Sequence, residues 1–277
     1  MLDLQLQTLR LASERLVKPS RFNATTWFDR LAVAALGMTV LTLGLLALDD
    51  RLLAGEPVWL KPLKFSVSFA LLFATLSWAT RQLSQHWQTS WLVVAGALAS
   101  AAAFAFEMAY IGAQAARQEA SHFNNSSPFH AAMYGLMGAG ATALMLTIGV
   151  VGLAALMDRE ARLDTGLRLG IVLGFFLSTV LTFWVAGELV SNGGRYIGQP
   201  AAGAATLPLL GWSMTVGDLR PAHFLALHAM QVIPAMGYLA SRFALPRSLV
   251  WITAALYASF TIMVFLMALK GIPLISA

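Results

Sequence analysis

HAAMYGLMGAGATALMLTIGVVGLAALM, residues 130–157, runs for 28 residues without an Asp, Glu, Lys or Arg. A helix that crosses the hydrocarbon core of a bilayer needs about 20 apolar residues, so this stretch is long enough to cross as one helix. It is too long and too evenly apolar for a transmembrane β-strand, which alternates apolar and polar residues over about 10 positions. Six more stretches meet or approach that length: 31–48, 65–80, 91–110, 169–190, 221–241 and 249–269. The whole chain agrees with them. Of its 277 residues 58% are hydrophobic and 11% charged, against roughly 25% charged in a soluble domain.

Backbone exposed to lipid must satisfy its own hydrogen bonds, so all seven stretches are expected to be helices. The expected fold is an all-α integral membrane bundle of about seven transmembrane helices, with residues 31–277 as one transmembrane domain. Residues 1–30 read differently. Asp3, Arg10, Glu14, Arg15, Lys18 and Arg21 interrupt every apolar run there, which argues against a signal peptide. Leu2, Leu6, Leu9 and Leu16 recur at helical spacing with the charges mostly on another face. An amphipathic helix on the cytoplasmic surface of the membrane is therefore expected, with a basic tail as the alternative.

Orientation follows from the cations. With the N-terminus in the cytoplasm, 11 of the 18 Lys and Arg residues fall inside, which favours a cytoplasmic N-terminus and an outside C-terminus in a plasma or inner membrane. The net charge of +5 is read as this topological bias. No basic run with interleaved aromatics points to a nucleic-acid partner. The chain has no cysteine, which excludes disulfides, thiolate nucleophiles and Cys-ligated clusters.

Most polar residues that sit awkwardly in an apolar span fall at the expected outer ends. They are Lys61 and Lys64 at the opening of the second span, Glu107 at the end of the third, His130 at the start of the fourth, Glu188 at the end of the fifth, His223 and His228 at the start of the sixth, and Lys270 at the close of the seventh. An ionisable group at the bilayer centre costs about 2.5–3.5 kcal/mol on insertion scales, so such groups usually face a partner or a wet cavity. Lysines that snorkel to headgroups and hydrogen-bonded structural histidines are the plainer alternatives. The order Glu, Tyr-Ile-Gly, His-Phe, His-Ala, Met-Gly occurs twice, from Glu107 to Gly138 and from Glu188 to Gly237. If it is a true repeat, spans three and four correspond to five and six in the same orientation, and Glu107 with His130 faces Glu188 with His228.

Imidazole and carboxylate suit Fe, Cu or Zn, and one histidine from each of two facing helices holds a bis-histidine haem. His130 and His228 are the chosen pair for haem b or a transition metal. His223 and His122 are further ligand candidates, and Glu107 and Glu188 are candidates for proton handling. Lys61, Lys64 and Arg195 would attract an anionic substrate or haem propionates. Residues 191–220 form a long loop with the apolar segment LPLLGW, expected to fold over the outer pocket as a lid. The small-residue runs 96–105 and 135–143 are expected to be packing surfaces.

Two functions fit these residues. One is a membrane-embedded haem- or metal-dependent oxidoreductase or electron carrier acting on a small or lipid-soluble substrate, with a redox partner or a second copy of the chain. The other is a secondary transporter that binds a small solute with the same outer Glu, His and Lys groups.

Overall fold

The computed structural model describes residues 22–161 and 163–276. Seven of its helices are long and apolar enough to cross a membrane, as expected of an all-α membrane bundle. They are α1 (Ala24–Leu48), α2 (Leu60–Arg81), α3 (Trp91–Ala116), α4 (Pro128–Met157), α5 (Thr165–Ser191), α6 (Leu219–Arg242) and α7 (Ser248–Leu269). Residues 1–21, where most of the expected amphipathic helix falls, lie outside the described residues. Residues 24–30 belong to α1 itself.

The helices run past the limits drawn from hydropathy because caps, not apolarity, set their ends. Asn23, Ser90, Ser127, Asp164 and Asp218 each accept a backbone N–H of the helix that follows, satisfying donors that a helix start leaves unpaired. Pro128 follows its cap at the first helical position, where a missing N–H costs nothing. One correction bears on the site. Helix α3 continues to Ala116, so Glu107, expected at the end of its span, lies about 13 Å inside the helix by its rise of 1.5 Å per residue.

Neighbours in sequence pack as neighbours in space: α1 on α2, α3 on α4, α4 on α5, α5 on α6, and α6 on α7. The main core joins faces of six helices through Phe28, Phe73, Phe104, Ile148, Phe175 and Met230. Within it the Phe104 ring meets Phe69 and Phe73 edge-on, at 5.1 and 5.5 Å. The tightest seam lies between α5 and α6. Gly166, Gly170 and Gly174 recur every fourth residue, and a Cβ on Gly174 would come within 2.5 Å of the Pro234 ring. Close backbone approach through small residues is how helices associate where lipid is as apolar as the interface. Of the small-residue runs singled out in the sequence, Gly96 and Gly140 do pack between α3 and α4, whereas Gly135 and Gly138 face open space.

Helices α2 and α6 are not packed together. Gln231 Nε2 donates to Thr75 Oγ1 across the gap at 3.0 Å. Around that bridge lies a groove of about 320 Å³ lined by Ala74, Trp78, Met230, Pro234 and Ala235. A second groove of about 480 Å³ shares Ala74 and Trp78 and leads to Asp29 and Arg81 at the other end of α2.

Candidate functional site

The two ends of the bundle differ in their connections. One end carries three short links. The other carries a β-hairpin before α2, the link between α3 and α4, the long stretch from Asn192 to Asp218, and the chain beyond α7. In the hairpin Leu52–Leu53 pairs with Glu56–Pro57. Ala54 and Gly55 turn with φ of 51° and 81°, the positive values that a tight two-residue hairpin requires. The hairpin is pinned by Asp49, which accepts from the Arg51 guanidinium at 2.7 Å and the Trp59 indole at 2.7 Å. These donors, Arg51 first, hold the Asp49 carboxyl well below the usual carboxylate range.

The long stretch folds back over this end. Tyr196–Ile197 pairs with Gly217–Asp218, and Leu207 and Trp212 close an inner turn by a 2.7 Å backbone bond. Asp218 accepts from Ser213 N and Arg220 N, and its carboxylate pairs with the Arg220 guanidinium at 2.6 Å. The turn reaches α2, where Lys64 Nζ donates to Leu210 O at 3.4 Å. Glu56 of the hairpin packs against Gly211, where a Cβ would be 2.5 Å from its Oε1. Gly211 has φ +69°, so both the backbone and the space favour glycine there.

This folding gathers four cations from three segments: Lys61 and Lys64 from the start of α2, Arg195 from the long stretch, and Arg220 from the start of α6. Arg220 is neutralised by Asp218 and also lies over the Tyr196 ring. Lys64 pairs with Glu56 at 3.7 Å. Lys61 and Arg195 are left over. They are within electrostatic reach of each other, and Lys61 is also within reach of Glu56; among the described residues neither makes an ion pair within 4.0 Å. Lys61 lies over the Phe65 ring, and Arg195 over Tyr196 at 4.9 Å. His122 packs beside them, its ring 5.1 Å from Phe65. Burial, helped by the Lys61 charge, pushes His122 down to about 3, so its imidazole is neutral at ordinary pH.

The other residues singled out in the sequence are dispersed. His130 meets the Tyr110 hydroxyl at 3.0 Å and Glu119 at 3.6 Å. His228 meets Gln231 at 3.1 Å and the Phe224 ring at 4.1 Å. His223 shares a face of α6 with Leu227 and Met230, and its Nδ1 is buried without a hydrogen-bond partner. Glu107 faces Gly140 of α4, with Oε1 equally unpartnered. Glu188 is half-buried near the end of α5, and Lys270 is exposed after α7. Among the described residues no hydrogen bond, ion pair or ring contact joins Glu107 and His130 to Glu188 and His228. Among the described residues no three His, Asp or Glu side chains are placed to share a metal ion. The haem or metal reading gains no support from this geometry, because its two chosen histidines are held by separate partners.

Sequence reasoning named Lys61, Lys64, Arg195 and His122 but missed Glu56, Tyr196 and Arg220 as members of one group. Of the two turn residues in the hairpin that carries Glu56, only Gly55 is a turn former in sequence; Ala54 takes its positive φ against the usual preference for Asn, Asp or Gly. Nothing local shows that Leu210 returns to Lys64. No family model, curated protein or solved structure matches the chain.

Proposed function

We propose that this protein is a membrane carrier for a small anion, captured at the end of the bundle where the cations gather. The observation that carries this reading is the pair Lys61 and Arg195. Two like charges near each other with no carboxylate in contact, Glu56 being spent on Lys64, raise the energy of the empty site, and an anion placed between them relieves it. Arg195 offers a planar fork of donors to a carboxylate or phosphate, and Lys61 offers a point charge. Lys64 and Arg220 are offset by Glu56 and Asp218, so the net positive charge of the group comes from Lys61 and Arg195 and attracts anions to them.

The carrier class draws on the grooves along α2. Below the cations the cleft between α2 and α6 holds one polar bridge, Thr75 to Gln231. Past Trp78 the second groove ends at Asp29 and Arg81, themselves an ion pair at 2.6 Å. Pro234 interrupts the hydrogen-bond ladder of α6 beside the first groove, a usual place for a transport helix to bend. The excess of arginines at the opposite end makes that end cytoplasmic and the cation end outward-facing, with residues 192–218 as the lid.

Inorganic phosphate is the probe. In phosphate, against chloride at equal ionic strength, the unfolding midpoint of the purified protein is expected to rise saturably, as ligand linkage requires. The rise is expected to need about tenfold more phosphate in the Lys61→Gln, Arg195→Gln double variant. Equal curves in the two salts, or equal phosphate shifts in the two proteins, overturn the reading.

A further inference from the structure

The seven spanning helices contain three carboxylates: Asp29 in α1, Glu107 in α3 and Glu188 in α5. Asp29 is paired with Arg81 at 2.6 Å, and Glu188 is half-buried one turn from the end of its helix. Glu107 is neither paired nor near an end. It is 5% exposed, about 13 Å inside α3 by the helical rise, and its Oε1 has no hydrogen-bond partner. Gly140 of α4 leaves the room it occupies: a Cβ there would stand 3.3 Å from Oε1 and 3.3 Å from the Ala103 Cβ. One turn deeper in α3, the Phe104 ring closes against Phe69 and Phe73.

The elements chiefly packed against α3 are α4, α2, α1 and the helical turn Gln85–Gln88. At the cation end they bring Lys61, Lys64, His130 and Tyr134, and at the opposite end Asp29, Arg30, Arg81 and His86. Among the described residues none of these is hydrogen-bonded or ion-paired to Glu107, and no charged side chain is within electrostatic reach of it. An ionised carboxylate taken out of water without a partner is so costly that the group takes up a proton instead. Ionisable groups kept inside a spanning helix at that cost are the usual parts of ion and proton pathways.

We infer that Glu107 binds a proton within the membrane and that this proton crosses together with the anion. The second half rests on the anion-carrier reading above, and the first stands without it. Charge balance calls for a co-carried cation. Below Lys64, α2 has no Lys or Arg before Arg81, which is spent on Asp29, and α6 has none between Arg220 and Arg242. An anion that leaves Lys61 and Arg195 therefore meets no free Lys or Arg along these helices, and a proton carried with it cancels its charge. The backbone links the two sites. The outer end of α3 is fastened to the hairpin: Arg51 Nη1 donates to Ala116 O at 3.0 Å, and Gln118 Nε2 donates to Leu52 O at 3.3 Å. That hairpin carries Glu56, the partner of Lys64. When Glu107 loses its proton it must leave the seam with Gly140 for water, and the resulting shift of α3 reaches the cations through the hairpin.

Two measurements on the full chain test the two halves. The first treats the protein in neutral detergent at pH 7 with dicyclohexylcarbodiimide, which reacts with protonated carboxyls in apolar surroundings. The acid O–H adds across one C=N bond, its oxygen joining the central carbon and its proton the nitrogen, and rearrangement leaves a stable N-acylurea. Peptide mass spectrometry is expected to find this adduct on Glu107, and a Glu107 left unlabelled overturns the proton site. The second follows radiolabelled phosphate into proteoliposomes with the outside more acid than the inside. Uptake by the parent is expected to rise severalfold over that without a gradient, and uptake by Glu107→Gln is expected to ignore the gradient. Phosphate has the same protonation state outside both, so the comparison isolates the protein. Glu107→Asp, which keeps the acid, is expected to retain the response, and circular dichroism checks that each variant is folded. Equal stimulation of the parent and Glu107→Gln overturns the coupling. If Glu107→Asp loses the response as fully as Glu107→Gln, the loss is one of packing and the coupling falls. If the parent takes up no phosphate, the carrier reading fails and the coupling with it, while labelling of Glu107 still decides the proton site.

Discussion

Arg168 and Arg195 stand at opposite ends of α5 and are used in opposite ways. Near the start of the helix, Arg168 donates to Ala155 O at 2.7 Å and also to the carbonyls of Asp158 and Ala161, satisfying acceptors that the end of α4 leaves unpaired. Beside it Asp158 accepts three backbone N–H groups, from Ser84, Glu160 and Ala161. Just past the other end of α5, the Arg195 guanidinium lies over the face of Tyr196 and within the repulsion of Lys61 and Lys64. The same residue type finishes a helix terminus in one place and is held in excess in the other. Charge consumed by backbone acceptors is structural. Charge without a counter-ion is available to a ligand.

Several substitutions break or sharpen this contrast. The largest effect is expected where both ends depend on one seam. Gly174→Leu drives a side chain into Pro234 and should cost about 3 kcal/mol or more, seen as a large drop in unfolding midpoint and loss of anion response together. Next, Arg168→Ala leaves carbonyls of α4 without a donor and should cost about 2 kcal/mol, with phosphate affinity unchanged in the folded fraction. The Lys61→Gln, Arg195→Gln pair should show the reverse pattern. Its affinity should fall about tenfold, and its ligand-free stability should stay within about 0.5 kcal/mol of the parent. An equal loss of stability in both variants would erase the distinction between the two ends.

A smaller effect is expected from pH. His122 titrates near 3 in the folded protein, lowered by burial and then by Lys61, and near 6.5 when unfolded. Between those values the unfolded chain binds the extra proton, so stability is complete above pH 6.5 and declines as the pH falls toward 3. Unfolding midpoints at pH 7 and pH 4.5 should differ less in His122→Asn than in the parent.

The seven helices were legible because an uncharged run long enough to cross a bilayer has few other stable conformations in lipid. Several of their starts were not, because Asn23, Ser127 and Asp164 act through single hydrogen bonds that hydropathy does not register. Helix α3 likewise runs on to Ala116, past the limit at 110, which places Glu107 inside the helix rather than at its end. The glycines at 166, 170 and 174 carry a readable four-residue period, yet their partner face became apparent only once Pro234 and Gly237 were seen against them. At the site, Lys61, Lys64 and Arg195 stood out as charges beside apolar spans. Their grouping with Glu56 and Arg220 depends on contacts such as Lys64 to Leu210, 146 residues apart, which no local pattern encodes.

The most direct measurement is a double-mutant cycle on Lys61 and Arg195, using the stability of the parent, Lys61→Gln, Arg195→Gln and the double variant in low-salt buffer and in saturating phosphate. A charge pair that repels without a counter-ion should give non-additive effects in low salt. Either single substitution relieves the repulsion and the second adds nothing. In phosphate the sign of the coupling should reverse as the anion bridges the two cations. Additive effects in both buffers would mean that Lys61 and Arg195 do not share a site, and would contradict the account.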